Sequence, residues 1–267
     1  MFKSLIIVIA FLCNCVMAAT TQQTGSQNKK AAARALVHHS AKSSKSGQSY
    51  FDITAQLGHF FYGEKGVMNQ RGPTYGGSLI YSRKNNLFGE NAFSVINFDL
   101  YKAKGYCRSI RTGEMANDDS SVTKLSYQLG FHINPSHDIL FGYGARLLTN
   151  DTTGMKSTTG HVGYNREQIY TFIPVKWVYH KPFNKGKIFF GLGSDIFLSG
   201  EHQSFNFLTF TQNSGWNLNG DVTYIEGPYL AKLHASYWDI NDSTVNYGMY
   251  EPENHTFRYG LSLGMRI

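Results

Sequence analysis

From about residue 50 onward, apolar and polar residues alternate with a period of two. The last eleven positions show it most clearly. Phe257, Tyr259, Leu261, Leu263, Met265 and Ile267 alternate with Arg258, Gly260, Ser262, Gly264 and Arg266. A β-strand sends successive side chains to opposite faces, so one face here is wholly apolar and the other small or charged. A tilted strand of about 9–11 residues spans a bilayer. The stretch therefore predicts the closing strand of a transmembrane β-barrel.

The same period predicts strands over 50–62, 75–83, 92–103, 122–133, 139–148, 168–180, 187–199, 216–226, 229–239 and 257–267. No stretch carries a convincing amphipathic helix period. Polar loops are expected at 63–74, 104–121, 149–165, 200–215 and 240–253, and short turns at 84–91, 134–138, 181–186 and 227–228. Long and short connections alternate, as external loops and periplasmic turns do in a barrel. The expected fold is all-β: an antiparallel, up-and-down, membrane-spanning barrel of about ten strands, within a range of eight to twelve. Pro174 interrupts one strand, because proline cannot donate to the ladder; a bulge there would accommodate it.

Composition fits that pattern. Aromatics make up 15% of the 267 residues, and there are 27 glycines. Mean hydropathy is only −0.30. Lipid-facing apolar groups and lumen-facing polar groups average to a mildly hydrophilic chain.

Residues 1–18 read as a signal peptide, with Lys3, an apolar run from Leu5 to Leu12, and a cleavage site ending at Ala18. The run is too short to cross a membrane as a helix. Residues 19–49 read as a flexible periplasmic linker, with a short helix expected at 31–37, and 50–267 as the barrel. After cleavage Cys107 is the one cysteine left, so no internal disulfide framework is expected; it reads as an incidental loop thiol. The net charge of +7 is partly carried by Lys29, Lys30, Arg34, Lys42 and Lys45 in the linker. No basic motif is interleaved with stacking aromatics, so nucleic acid is not an expected partner. Attraction to anionic lipid headgroups fits better.

The chain resembles bacterial outer-membrane β-barrel proteins over residues 50–267, on the alternating strands and the 257–267 pattern. It ends in Ile267 where those proteins commonly end in Phe. The resemblance implies the outer membrane as location and outer-membrane lipid and lipopolysaccharide as surroundings. It also implies recognition of Phe257 to Ile267 by the barrel-assembly machinery.

Candidate chemistry lies on the polar face. Asp52, Gln56, Asn97, Asp99, Gln128, His132, Arg146, Lys176, Asp195, Asn217, Asn219, Asp221, Lys232, His234, Arg258 and Arg266 are expected to line the lumen. Ten strands enclose far less space than a porin does, so opposite charges would pair and largely fill it. A structural network and a narrow or gated pore both remain open. If Gly227 and Pro228 form a two-residue turn, Asp221 falls opposite His234, with Ser236 nearby. An Asp that orients a His is part of many hydrolytic sites, and among outer-membrane barrels the omptin proteases use Asp and His, and the lipid A deacylases Ser and His. Asp221, His234 and Ser236 are thus the speculative catalytic set, with a plain lumen ion pair as the alternative. The histidines are otherwise scattered. No metal or cofactor motif stands out. The charges of Arg108, Arg111, Asp118 and Asp119 read as solvated loop groups, at which a host or environmental ligand could bind.

The leading function is a non-enzymatic barrel with a structural, surface-interaction or narrow-pore role. The alternative is a barrel hydrolase acting on lipid, lipopolysaccharide or peptide. A soluble β-sandwich or lipocalin-like binder is a third reading; it would have to bury Phe257, Tyr259 and Leu261 in a core.

Overall fold

The computed structural model describes residues 49–205, 208–246 and 248–267. The expected signal peptide and linker lie outside the described residues. The chain forms β1 (Ser49–Glu64), β2 (Met68–Lys84), β3 (Ala92–Ser109), β4 (Gly113–Asn134), β5 (His137–Asp151) and β6 (Asn165–Phe183). It continues with β7 (Gly186–Ser204), β8 (Leu208–Gln212), β9 (Gly215–Glu226), β10 (Tyr229–Ile240) and β11 (Asn254–Arg266).

β1 to β7 pair antiparallel in succession, β7 pairs on with β8 and β9, β9 with β10 and β10 with β11, and β1 pairs with β11 from Asp52 opposite Arg266 to Glu64 opposite Asn254. The sheet is therefore closed and has no free edge. β8 and β9 lie along β7 in one register, with Gly200 opposite Gln212 and Ile196 opposite Trp216. They are the upper and lower halves of one stave, so the barrel has ten staves.

Alternation sets which residues face out. Ile53, Leu57, Leu261 and Leu263 are exposed on the outer face of the β1–β11 seam, and Trp177, Leu192, Ile196, Leu218 and Val222 on that of β6, β7 and β9. In water such a surface would be a large penalty; in lipid it is the solvated face. The band ends in exposed charge: Lys102, Lys104 and Glu201 at one side, Arg83 and Lys181 at the other. The chain is a membrane-spanning β-barrel of the bacterial outer-membrane type.

Tight turns close the staves at the end that carries Ser49 and Ile267. Gly227 has φ 55°, the positive φ that the first central position of a II′ hairpin turn needs, and Asn184 has φ 51°. At the opposite end the strands outrun the band. Residues expected as loops at 63–74, 104–121 and 200–215 are mostly ladder: β1 reaches Glu64, β2 starts at Met68, β3 and β4 turn only across 110–112, and β7 runs on to Ser204. Above the bilayer the outer face of a strand meets water, so hydrogen bonding continues while the apolar alternation stops. The loop 152–164 braces the β3–β4 tip, where Thr159 Oγ1 donates to the Thr112 carbonyl (2.7 Å) and Glu114 N to Thr158 Oγ1 (3.0 Å).

The proline is handled differently from the expectation. Pro174 sits opposite Asp195 on β7, while the β5–β6 ladder skips Gly142 and Tyr143. The bulge lies higher, between Thr171 and Phe172. A Cβ on Gly142 would stand 1.9 Å from the Tyr127 carbonyl oxygen, so this position has room for glycine alone.

Candidate functional site: the filled lumen

The inward phase of β1 carries Asp52, Gln56, Phe60, Tyr62 and Glu64, and the other staves contribute likewise. Three levels result.

At the turn end, Arg266 Nε and Nη2 grip Asp52 in a two-point pair at 2.7 Å each, and the guanidinium lies 3.8 Å from the Tyr50 ring centre. His132 Nδ1 lies 2.6 Å from Asp138 Oδ1, and His180 3.6 Å from its other oxygen.

Midway lies a cavity of about 140 Å³, lined by Gln56, Asn97, Asp99, Gln128, Arg146, Lys176, Asp195, Asn219, Asp221, Lys232, His234, Ser236 and Arg258. Lys124, which the strand phase also places inside, donates to Asp195 at 2.6 Å. Lys176 donates to Asp221, and Arg258 to Gln56 Oε1. Asn97 Nδ2 donates to Asp99 at 3.0 Å, and Asn217 Nδ2 to the Tyr237 carbonyl at 2.9 Å. Asp221 does fall opposite His234 in the register. Its carboxylate, however, accepts from Lys176 and from Thr223 Oγ1 (3.4 Å), while His234 Nδ1 lies 3.5 Å from Ser262 Oγ. Geometry thus ties the acid to a lysine and turns the imidazole toward a different strand.

Above the cavity the lumen becomes aromatic. Tyr170, Phe172, Phe197, Trp238 and Ile240 form one buried cluster; Phe60, Tyr62, Tyr101, Val122 and Leu148 form another. Over them sits a buried ionic network, above the lipid band. Arg166 on β6 donates to Glu64 on β1 and to Glu251 Oε1 at 2.8 Å. Glu251 belongs to the loop 241–253. His202 Nδ1 lies 2.9 Å from the same Glu251 oxygen, Tyr62 OH donates to Glu64 at 2.8 Å, and Gln168 Nε2 to Tyr62 OH at 3.0 Å. The loop is held down by paired bonds between Ser243 and Glu251: N to O at 2.9 Å and N to Oγ at 2.7 Å.

Burial alone would lower the Arg166 pKa and raise that of Glu251. The carboxylates of Glu64 and Glu251 instead hold the guanidinium well above its ordinary value, and the guanidinium holds Glu251 below its own. Cys107 is not a loop thiol. It lies on β3 beside Asp118, and burial together with that carboxylate pushes it up to about 12. Asp118, expected as a solvated loop charge, is 1% exposed, and its carboxylate accepts from Asn150. Burial holds its own pKa above the usual carboxylate value. Among the described residues, no group of three or more His, Cys, Asp or Glu side chains converges as metal ligands would.

Glu64, Arg166, His202 and Glu251 were outside the expected lumen set. Glu64 and Arg166 share the inward phase of Asp52 and Lys176, so continuing the period of two beyond the apolar band finds them. Glu251 has no periodic signal at all.

No family model and no curated protein matches the chain. Solved structures similar to it include the outer membrane protease OmpT from Escherichia coli, with a TM-score of 0.48, 7% identity, and coverage of 82% of this chain and 95% of that one. The translocator domain of the autotransporter NalP from Neisseria meningitidis gives 0.39 and 13%, covering 85% and 90%. Ail from Yersinia pestis, solved with the heparin analogue sucrose octasulfate, gives 0.32 and 13%, covering 82% and 99%. The barrel assignment rests on the closed ladder and the apolar band.

Proposed function

We propose that this protein is a non-enzymatic outer-membrane barrel with a closed lumen, acting at the cell surface through the strands that project above the bilayer. One observation carries the reading: the buried bridge from Glu64 through Arg166 to Glu251. It ties β1, β6 and the last surface loop together across the mouth. Opposite charges that pair across a narrow lumen fill it, and a buried hydrogen-bonded network rigidifies what it joins. The aromatic clusters below the bridge support the same conclusion.

Lys102 and Lys104 stand at the upper margin of the band, at headgroup height, and would meet the phosphates of lipopolysaccharide. The 257–267 strand, which makes the closing seam with β1, would be the segment handed to the assembly machinery. Host or environmental ligands would bind the projecting hairpins.

Conductance of the refolded protein in a planar bilayer tests the closed lumen. Wild type should be silent. Steady, ion-selective steps would overturn the reading in favour of a narrow pore. The hydrolase alternative draws no support from the Asp221 and His234 geometry.

A further inference from the structure

The mid-lumen cavity is unbalanced in charge. Lys124, Arg146, Lys176, Lys232 and Arg258 line it, against Asp99, Asp195 and Asp221. Asp195 is taken by Lys124, and Asp221 by Lys176. Lys232 also acts on Asp221, so the five cations of the lining stand against three carboxylates, a surplus of two positive charges.

The surplus is buried. Arg146 is 2% exposed, and its Nη2 has no hydrogen-bond partner among the described residues. Its guanidinium carbon lies 5.2 Å from the Trp238 ring centre and 5.7 Å from that of Tyr170, and it forms no ion pair among the described residues. Arg258 lies 3.8 Å from the Tyr101 ring, with its Nε unpaired. His234 Nε2, on the same wall, is also buried and unpaired. A buried cation without a compensating anion is costly, and water supplies hydrogen bonds but no charge. The aromatic clusters and the Arg166 network above limit access to small species.

We propose that this cavity is a binding site for a small inorganic anion of halide size, held against Arg146, Lys232 and Arg258. The anion offsets one of the two surplus charges and accepts from the unpaired Arg146 nitrogen. Chloride is present in most surroundings a bacterium meets, so the site would be a resident structural one.

The test uses the refolded protein in detergent. Thermal unfolding is followed in chloride against gluconate, too bulky for the cavity, at fixed ionic strength. Wild type should show a saturable rise in Tm of a few degrees with chloride, because a ligand that binds only the folded state stabilises it. Arg146→Gln should abolish the rise, and Arg146→Lys should keep part of it. If Arg146→Gln does not refold, Lys232→Met serves instead, since that lysine lines the same cavity and is less buried than Arg146. Crystals grown in bromide should give an anomalous peak inside the cavity. Identical behaviour in the two salts, an equal rise in wild type and variants, or a cavity without bromide would overturn the site. The closed-lumen reading fails separately, on conductance.

Discussion

Glu251 leaves the loop 241–253 and places its carboxylate 2.8 Å from Arg166, on the inner face of β6. A surface segment is thereby fastened into the barrel mouth. Removing the guanidinium strands two buried carboxylates, so Arg166→Ala should cost about 3–5 kcal/mol. Glu251→Gln leaves Glu64 in place and should cost less. Urea unfolding of the refolded barrel would rank them; an exposed, weak pair would give changes under about 1 kcal/mol for both.

The fastening should loosen in acid. Glu251 is held below its ordinary value of 4.5 in the folded protein. A carboxylate with a depressed folded pKa adds stability that is full above the unfolded value and is lost as pH falls through the folded one. Arg166, Glu64, Tyr62 and His202 face it, and Arg166 stays charged throughout. Proteolysis within 241–253 should therefore be slow at pH 7 and rise below pH 4.5. Equal protection at pH 3.5 and pH 7 would refute the coupling.

Cys107 should be inert. Burial and the Asp118 carboxylate push its thiol up to about 12, and thiolate is the reactive form. Maleimide labelling at pH 7.5 should be slow in the folded protein and fast after unfolding. Rapid labelling of the folded form would mean that the β3–β4 region opens.

The two faces of β11 should respond differently to substitution. Leu261 is exposed on the apolar band, so Leu261→Arg should oppose insertion by about 2–4 kcal/mol if it lies near the midplane. Neighbouring Ser262 faces the lumen, and Ser262→Ala should refold normally. Equal refolding yields for both variants into vesicles would contradict the orientation.

Asp221 and His234 should not behave as a pair. Asp221→Ala leaves Lys176 without its carboxylate, whereas His234→Ala removes a long contact to Ser262. The first should destabilise more than the second, and a double-mutant cycle should give a coupling near zero. Coupling of about 1 kcal/mol or more would restore the dyad as a functional unit.

How far the chain could be read from its letters follows from what alternation reports. Inside the bilayer each strand separates lipid from lumen, so 257–267, 229–239 and 187–199 declare themselves. Above it the outer face is wet, and the signal disappears although the ladder does not; β3 beyond Ala103 and β7 beyond Ser199 therefore read as loops. The inward list followed directly from strand phase. Who pairs with whom did not, because partners such as Lys124 and Asp195 sit on staves that are not neighbours in the ladder. Glu251 was beyond reach for a simpler reason: an aperiodic loop carries no phase.

The continued ladder also sets what a visitor from outside meets first. From Leu100, at the edge of the apolar band, β3 climbs to Ser109 paired with β4, with one register shift between Gly105 and Tyr106, a rise of roughly 20 Å for tilted strands. Thr158 and Thr159 prop its tip from the side. Such a ledge is already ordered before anything lands on it. A partner would forfeit little entropy on docking there, and a change of side chain at the tip would alter recognition without altering shape.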